Sequence, residues 1–405
     1  MANIFDNNSL SHESVVALQA GSGLNYLIKE KNVGRLKANM AIQQVSSQGT
    51  TNSIFTTPNS QLNFLLPIGV SNQIDICQNL VFEFQITNTS GASALTLLPI
   101  PFTLNNIQIL ASGSILETLY PENFIIDETF WQEDDEHILS LQTLENFTYT
   151  PSAGYATNTT TIAANGTKTF YFNLQCCLNR CELFLSAINS QITIQFQFNT
   201  APYTSASAST SVSMTSAQLI MSGFKYENTI RNKLLQRFNA NTTLYSYYLP
   251  RREIIPNLSL SNVSTTQVQV TSFSGEHVSC LFVGARPSGA SQDNLYAFDQ
   301  LSQIDLKNAG QSVFLNGLNY REYTAMALKV IPSSAGYSMN YFMMPFSIDS
   351  YHSILDGVQR GVLEFSPNFA IYVLDSVAAT RELVLIAYQL QKVYIKGGNL
   401  YMDAL

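Results

Sequence analysis

Three thiols crowd one short stretch, Cys176-Cys177-Leu178-Asn179-Arg180-Cys181. Thiols so close could bind zinc or act as a redox pair. A structural zinc site needs four ligands, usually a closely spaced pair at each end, and no second pair follows here. Cys77 and Cys280 complete an odd set of 5 cysteines without regular spacing, which is not a disulfide framework. The three neighbouring thiols are therefore expected to be reduced, metal-free and buried as small hydrophobes. Glu133-Asp134-Asp135-Glu136-His137 offers carboxylate oxygens of the kind calcium takes. Consecutive helical residues point in different directions, so a solvated helix face is the better reading. The 4 histidines, His12, His137, His277 and His352, form no His-Glu-x-x-His motif. Nucleophile elbow, phosphate loop and dinucleotide fingerprint are all absent, and Gly397-Gly398 reads as a turn. No catalytic residue, cofactor or metal site is expected, and the chain does not read as an enzyme.

One basic cluster remains. Lys29, Lys31, Arg35 and Lys37 interleave with Leu24, Leu27, Ile28, Leu36 and Met40, which fall roughly on one face of a broken helix over Leu24–Val45. Gly21-Ser22-Gly23 is a hinge before it. The plain reading is a helical arm packed under the body. The sharper one is an arm that reaches a neighbouring subunit or an anionic membrane surface. On that sharper reading Leu24, Leu27, Ile28, Lys29, Lys31, Arg35 and Lys37 are the assembly- or membrane-facing residues.

The elements that must carry these residues follow from composition and period. The chain has 405 residues and 45% apolar residues, enough for more than one core. Charged residues make up only 12%, about half of the usual roughly 25%. Polarity comes from Ser, Thr, Asn and Gln, so neighbouring copies repel little and dense self-association is favoured over a free monomer. A net charge of −8 and the absence of a long basic run argue against specific nucleic-acid binding. No stretch reaches the ~18 apolar residues of a membrane span, and the start, Met1-Ala2-Asn3-Ile4-Phe5-Asp6, lacks the pattern of a secretory signal. Synthesis in a cytoplasm is expected.

From residue 54 the apolar period is two. Leu80–Ile86, Leu104–Ile109, Thr169–Phe172, Ile192–Phe198 and Ala217–Met221 read as strands between turn clusters such as Ala111-Ser112-Gly113-Ser114. Thr229–Phe238 breaks the pattern as a short basic helix. Strand signals resume at Leu244–Leu249, Gln267–Phe273, Val278–Val283, Ala325–Ile331, Tyr337–Met343, Val362–Phe365, Phe369–Leu374 and Glu382–Leu390. Two long connections stand out. Residues 121–166 predict a helix near Asp127–Leu144 and then a polar loop, and residues 284–322 predict mostly loop. The class is all-β: an arm at 1–50, a sandwich at 51–226, a helical connector at 227–243 and a second sandwich at 244–405.

Order and spacing then carry a resemblance over nearly the whole chain. Ile107-Gln108-Ile109-Leu110-Ala111-Ser112-Gly113 leads to Phe130-Trp131, and Phe170–Leu174 precedes Leu183–Ile188 and the strand at Ile192. Gly361-Val362-Leu363-Glu364-Phe365-Ser366-Pro367 and the closing Glu382–Leu390 with its tail Val393–Leu400 complete the set. The arrangement resembles the double jelly-roll major capsid proteins, the lineage of tectiviruses, adenovirus hexon and large eukaryotic DNA viruses. The resemblance implies two consecutive eight-stranded jelly rolls with an N-terminal helical arm. It also implies a homotrimer that tiles an icosahedral shell made in a host cytoplasm. Neighbouring trimers, penton or vertex proteins and, where one exists, an internal viral membrane would be its partners. The loop Thr148–Gly166 would lie on the outer face. The alternative is a two-domain adhesin or carbohydrate-binding protein. That class would call for a secretion signal and several exposed aromatics for sugar stacking, whereas Trp131 is the only tryptophan.

Overall fold

Alternating apolar residues build the first half. In β3 (Ile76–Asn88), Leu80, Phe82, Phe84 and Ile86 are all buried while the residues between them face outward. The same period buries Phe170 and Phe172 in β8 (Thr167–Asn173) and Ile194, Phe196 and Phe198 in β9 (Ile192–Phe198). These strands form two antiparallel sheets of four. One runs β1 (Ala38–Ser46), β10 (Val212–Tyr226), β3, β8. The other runs β2 (Gln61–Leu65), β9, β5 (Leu104–Ala111), β6 (Ser114–Leu119). Phe82 of one sheet stacks on Phe196 of the other at 4.3 Å between centroids, and Phe64 meets both edge-on. The sheets therefore close on a single aromatic core. A short ribbon, β4 (Leu95–Leu97) with β7 (Thr160–Ile162), lies beside them.

The computed structural model describes residues 38–49, 51, 54–55, 60–97, 103–126, 160–199, 212–240, 242–289, 298, 301–313, 318–319, 341–346 and 362–404.

Several expectations change within that set. Ala38–Ser46 is not the end of a helix; it is an edge strand paired with β10 from Ala38↔Tyr226 to Ser46↔Gln218. Its true period is two, with Gln43 and Val45 buried and Met40 and Ile42 outward. Thr160–Ile162, expected within a loop, is a strand because Thr160 and Ile162 turn inward to pair with Leu97 and Leu95. The helix expected near Asp127–Leu144 lies outside the described residues, after a short helix α1 (Pro121–Ile126).

The connector is a helix, α3 (Asn228–Ala240), following the four-residue α2 (Cys177–Arg180). It buries Arg231, Leu234 and Phe238 at helical spacing, with Phe238 stacked on Phe184 at 5.0 Å. The second half repeats the layered plan. One sheet runs β11 (Thr243–Leu260), β20 (Ala379–Lys396), β13 (His277–Pro287), β17 (Tyr341–Pro345), with β18 (Leu363–Glu364) on β13 and β21 (Asn399–Ala404) on β20. The other runs β12 (Thr266–Gln269), β19 (Ala370–Asp375), β14 (Leu301–Asn308), β15 (Gln311–Ser312), with β16 (Leu318–Asn319) on β14. Strand β14 occupies part of the stretch expected to be mostly loop. A bulge between Leu301 and Gln303 breaks its alternation, which hides the strand from a period-two search.

β11 and β20 are 18 residues each and pair along almost their full length. Tyr245, Tyr247, Leu249, Val393 and Ile395 enter the first core, whereas Tyr248, Leu383–Ala387, Tyr388 and Leu390 belong to the second. In return Ile126 of α1 enters the second core. Each half thus completes the apolar interior of the other.

Candidate functional site: a buried polar joint between the two sandwiches

Three clusters of buried polar side chains lie where the halves and their connector meet. The first cluster centres on Glu117, an inward position of β6 that is 1% exposed. The Tyr247 hydroxyl of β11 donates to its Oε1, and the Cys177 backbone N–H donates to Oε2 at 2.8 Å. Burial pushes the Glu117 carboxyl above the usual range, and these two donors partly oppose the shift. Burial first, and then the Glu117 charge, push the Tyr247 hydroxyl well up.

Cys177 is held there by the geometry of α2. Asn179 Oδ1 accepts from the Cys176 N–H at 2.8 Å, while its Nδ2 donates to the Leu174 carbonyl at 3.0 Å. Cys176, Cys177 and Cys181 are buried free cysteines. Burial and then the Glu117 carboxyl hold all three thiols well above their ordinary range. Cys77 is pushed up to about 12 by burial. Such thiols stay protonated at neutral pH and are poor nucleophiles. Among the described residues no group of three or more His, Cys, Asp or Glu side chains is placed to hold a metal ion.

The second cluster pins the connector. Arg231 of α3 donates from Nε to Asp75 Oδ1 at 2.7 Å and from Nη2 to the Asn72 carbonyl at 3.0 Å. Asp75 Oδ2 accepts from the Tyr226 N–H at 2.7 Å, and Ser186 donates to Oδ1. The buried carboxylate and guanidinium are therefore both paired and hydrogen-bonded, as burial of charge requires.

The third cluster joins α1 to the second sandwich. Glu122 accepts from Arg286 Nη1 at 3.1 Å and from Arg252 Nη1 at 3.0 Å, and Arg286 Nε also bonds Glu382. Arg252 lies 3.6 Å above the Tyr120 ring. What these clusters can do is position: they fix register and angle between the two sandwiches.

Leu24, Leu27, Ile28, Lys29, Lys31, Arg35 and Lys37 lie outside the described residues, as does Glu133–His137. The joint residues Glu117, Glu122, Asp75, Arg231 and Arg286 were not singled out by sequence. A charge on an inward position of an otherwise apolar strand, as at Glu117 and Arg286, is the signal that could have found them in so weakly charged a chain.

No family model and no curated protein matches the sequence. Solved structures do match its shape. The chain resembles the PBCV-1 virus capsid protein at a TM-score of 0.64 and 12% identity, covering 93% of this chain and 99% of that one. It resembles the Faustovirus major capsid protein at 0.60 and 11%, covering 91% of each. It resembles a chain of the Sputnik virophage at 0.55 and 13%, covering 90% and 88%. The fold is that of these capsid chains, a double jelly roll.

Proposed function

We propose that this double jelly-roll chain is a major capsid protein, located in the virion, whose copies assemble into an icosahedral shell. The observation that carries the reading is coverage. The likeness to the PBCV-1 capsid chain takes in 93% of this chain and 99% of that one, so the fold of both sandwiches is shared rather than one common module. The joint supports it physically, because a tile must hold two sandwiches at a fixed angle while neighbours load its edges. Low charge density supports close lateral packing. So do Met40 and Ile42, 69% and 66% exposed on edge strand β1, a surface that assembly would cover.

The finer reading is a homotrimer in which residues 51–226 and 244–405 supply paired wedges around a threefold axis and residues 227–243 connect them. Neighbouring trimers and vertex proteins are its partners. Residues 1–37, ahead of β1, face the shell's interior and, where one exists, a membrane. No enzyme activity is assigned, in keeping with the structural role of the matched capsid chains. Mass measurement of the purified protein in mild salt and electron microscopy of its assemblies test the proposal. Trimers and closed shells are expected. A stable monomer at every concentration refutes it.

A further inference from the structure

Along one face of β20 the residues alternate with their neighbours in a fixed order. Leu383, Leu385 and Ala387 belong to the second core, and Val393 and Ile395 belong to the first. Between them, on the same face by the period of two, stand Gln389 and Gln391. Their cross-strand partners on β11 are Leu249 and Tyr247, and Val278 of β13 lies opposite Gln389 on the other side. The two glutamines therefore occupy the seam at which one core gives way to the other.

Gln389 is 0% exposed, and neither its Nε2 nor its Oε1 has a hydrogen-bond partner in the protein. Gln391 is 3% exposed, and its Nε2 also has none. Buried amides are almost always paired, with protein or with ordered water. Side chains two residues apart on one strand face are close enough for one water or a short chain of waters to reach both.

The orphaned atoms specify the ligand. A cation would satisfy only the Gln389 carbonyl oxygen, and an anion only the amide nitrogens. A donor and an acceptor on one amide, with a second donor beside it, call for a small neutral molecule that both gives and accepts hydrogen bonds. We propose that the seam is an internal hydration site, in which ordered water bridges Gln389 and Gln391 between the two jelly rolls. Such waters are a regular part of folded proteins, roughly one per 27 residues. The proposal holds whatever the chain assembles into, and so does not rest on the capsid reading.

A density map of the intact wild-type protein, at a resolution that shows ordered solvent, is the first test. Water within hydrogen-bonding distance of Gln389 Nε2 and Oε1 is expected. Gln389→Leu is the second test. It deprives the bridging water of partners and leaves Gln391 stranded, so the melting temperature should fall by about 1–3 °C. In a dry seam the same substitution removes an unsatisfied amide and raises the melting temperature. An empty seam in the map, or a more stable Gln389→Leu, overturns the proposal.

Discussion

Arg286 of β13 and Glu122 of α1 are 164 residues apart in sequence and 3.1 Å apart in space, with side chains only 2% and 1% exposed. Their bond crosses from one sandwich to the other. Charges this deep gain little against an apolar replacement of both partners, yet removing one partner is costly. Arg286→Met strands Glu122 and Glu382 together. Arg252 still serves Glu122, so we expect a loss near the lower end of the usual range, about 3 kcal/mol. Urea unfolding measures it, and adding Glu122→Gln to Arg286→Met should recover part of the loss. Wild-type stability for Arg286→Met would remove the joint from any account of this fold.

The buried carboxyl of Glu117 makes stability depend on pH. Its folded-state pKa is raised above the ordinary 4.5, chiefly by burial. The stability tied to the neutral form is therefore fully present below about 4.5, and is lost as pH rises through the folded value. Glu117→Gln should flatten that part of the pH profile. At low pH it should stay close to the wild type, because the amide oxygen can accept the Cys177 N–H while the amide nitrogen donates to the Tyr247 hydroxyl oxygen. Thermal melts across mildly acidic to neutral pH read both effects. An unchanged slope in Glu117→Gln would show that other groups set the dependence.

How much of this was legible depends on where the partners lie. Strands such as Leu80–Ile86 and Ile192–Phe198 declare themselves because alternation is local. The connector declares itself because Ile230, Leu234 and Phe238 recur at helical spacing. Ala38–Ser46 misled because Leu36 and Met40 also stand four apart, which suits a helix as well as a strand. The clusters of the joint left only a faint local trace, a charge at an inward position of a strand. Glu117 meets Tyr247 across 130 residues and Asp75 meets Arg231 across 156. A short window can mark Glu117 or Arg286 as a charge on an inward position, but only the fold names the partner.

The hairpin that closes the chain offers a sharper test of local geometry. Gly398 has φ +78°, and a Cβ there would come within 2.7 Å of Asn189 Nδ2 and 3.1 Å of Asn189 Cβ. Gly69 leaves room for the same side chain, since a Cβ there would fall 2.5 Å from Asn189 Oδ1. The Asn189 N–H also donates to the Gly398 carbonyl at 2.7 Å, tying β21 to the first sandwich. We expect Gly398→Ala to cost roughly 1–2 kcal/mol through left-handed backbone alone, with crowding added. Gly397 has φ +58° but nothing within 4 Å. Gly397→Ala carries the same left-handed backbone cost with nothing to crowd it, and should lose only about 1–2 kcal/mol. Equal losses at the two positions would show that the Asn189 contact is unimportant.

The arm can be separated from the body only if the cut respects β1. That strand pairs along all of its 9 residues with β10. Val45 lies in the first core, and Gln43 Oε1 accepts the Gln73 N–H at 2.9 Å. A chain beginning at Thr50 would lose the strand, unpair one edge of β10 and uncover Leu219 and Met221, which are buried beneath the pair. We expect such a chain to melt lower and to aggregate through the bared edge. A chain beginning at Ala38 keeps the whole ladder and loses residues 1–37, among them the basic and apolar residues from Leu24 to Lys37. It should match the full-length protein in melting temperature and in mass by light scattering. It should nevertheless fail to close complete shells in electron micrographs, because the segment assigned to tie neighbouring units together is gone. Adding salt tests the basic part of the same assignment. If Lys29, Lys31, Arg35 and Lys37 act on an anionic partner, assembly of the full-length protein should weaken as ionic strength rises and the Debye length shrinks from about 10 Å at 0.1 M to about 3 Å at 1 M. Normal shells from the chain that begins at Ala38 would show that residues 1–37 have no part in building them.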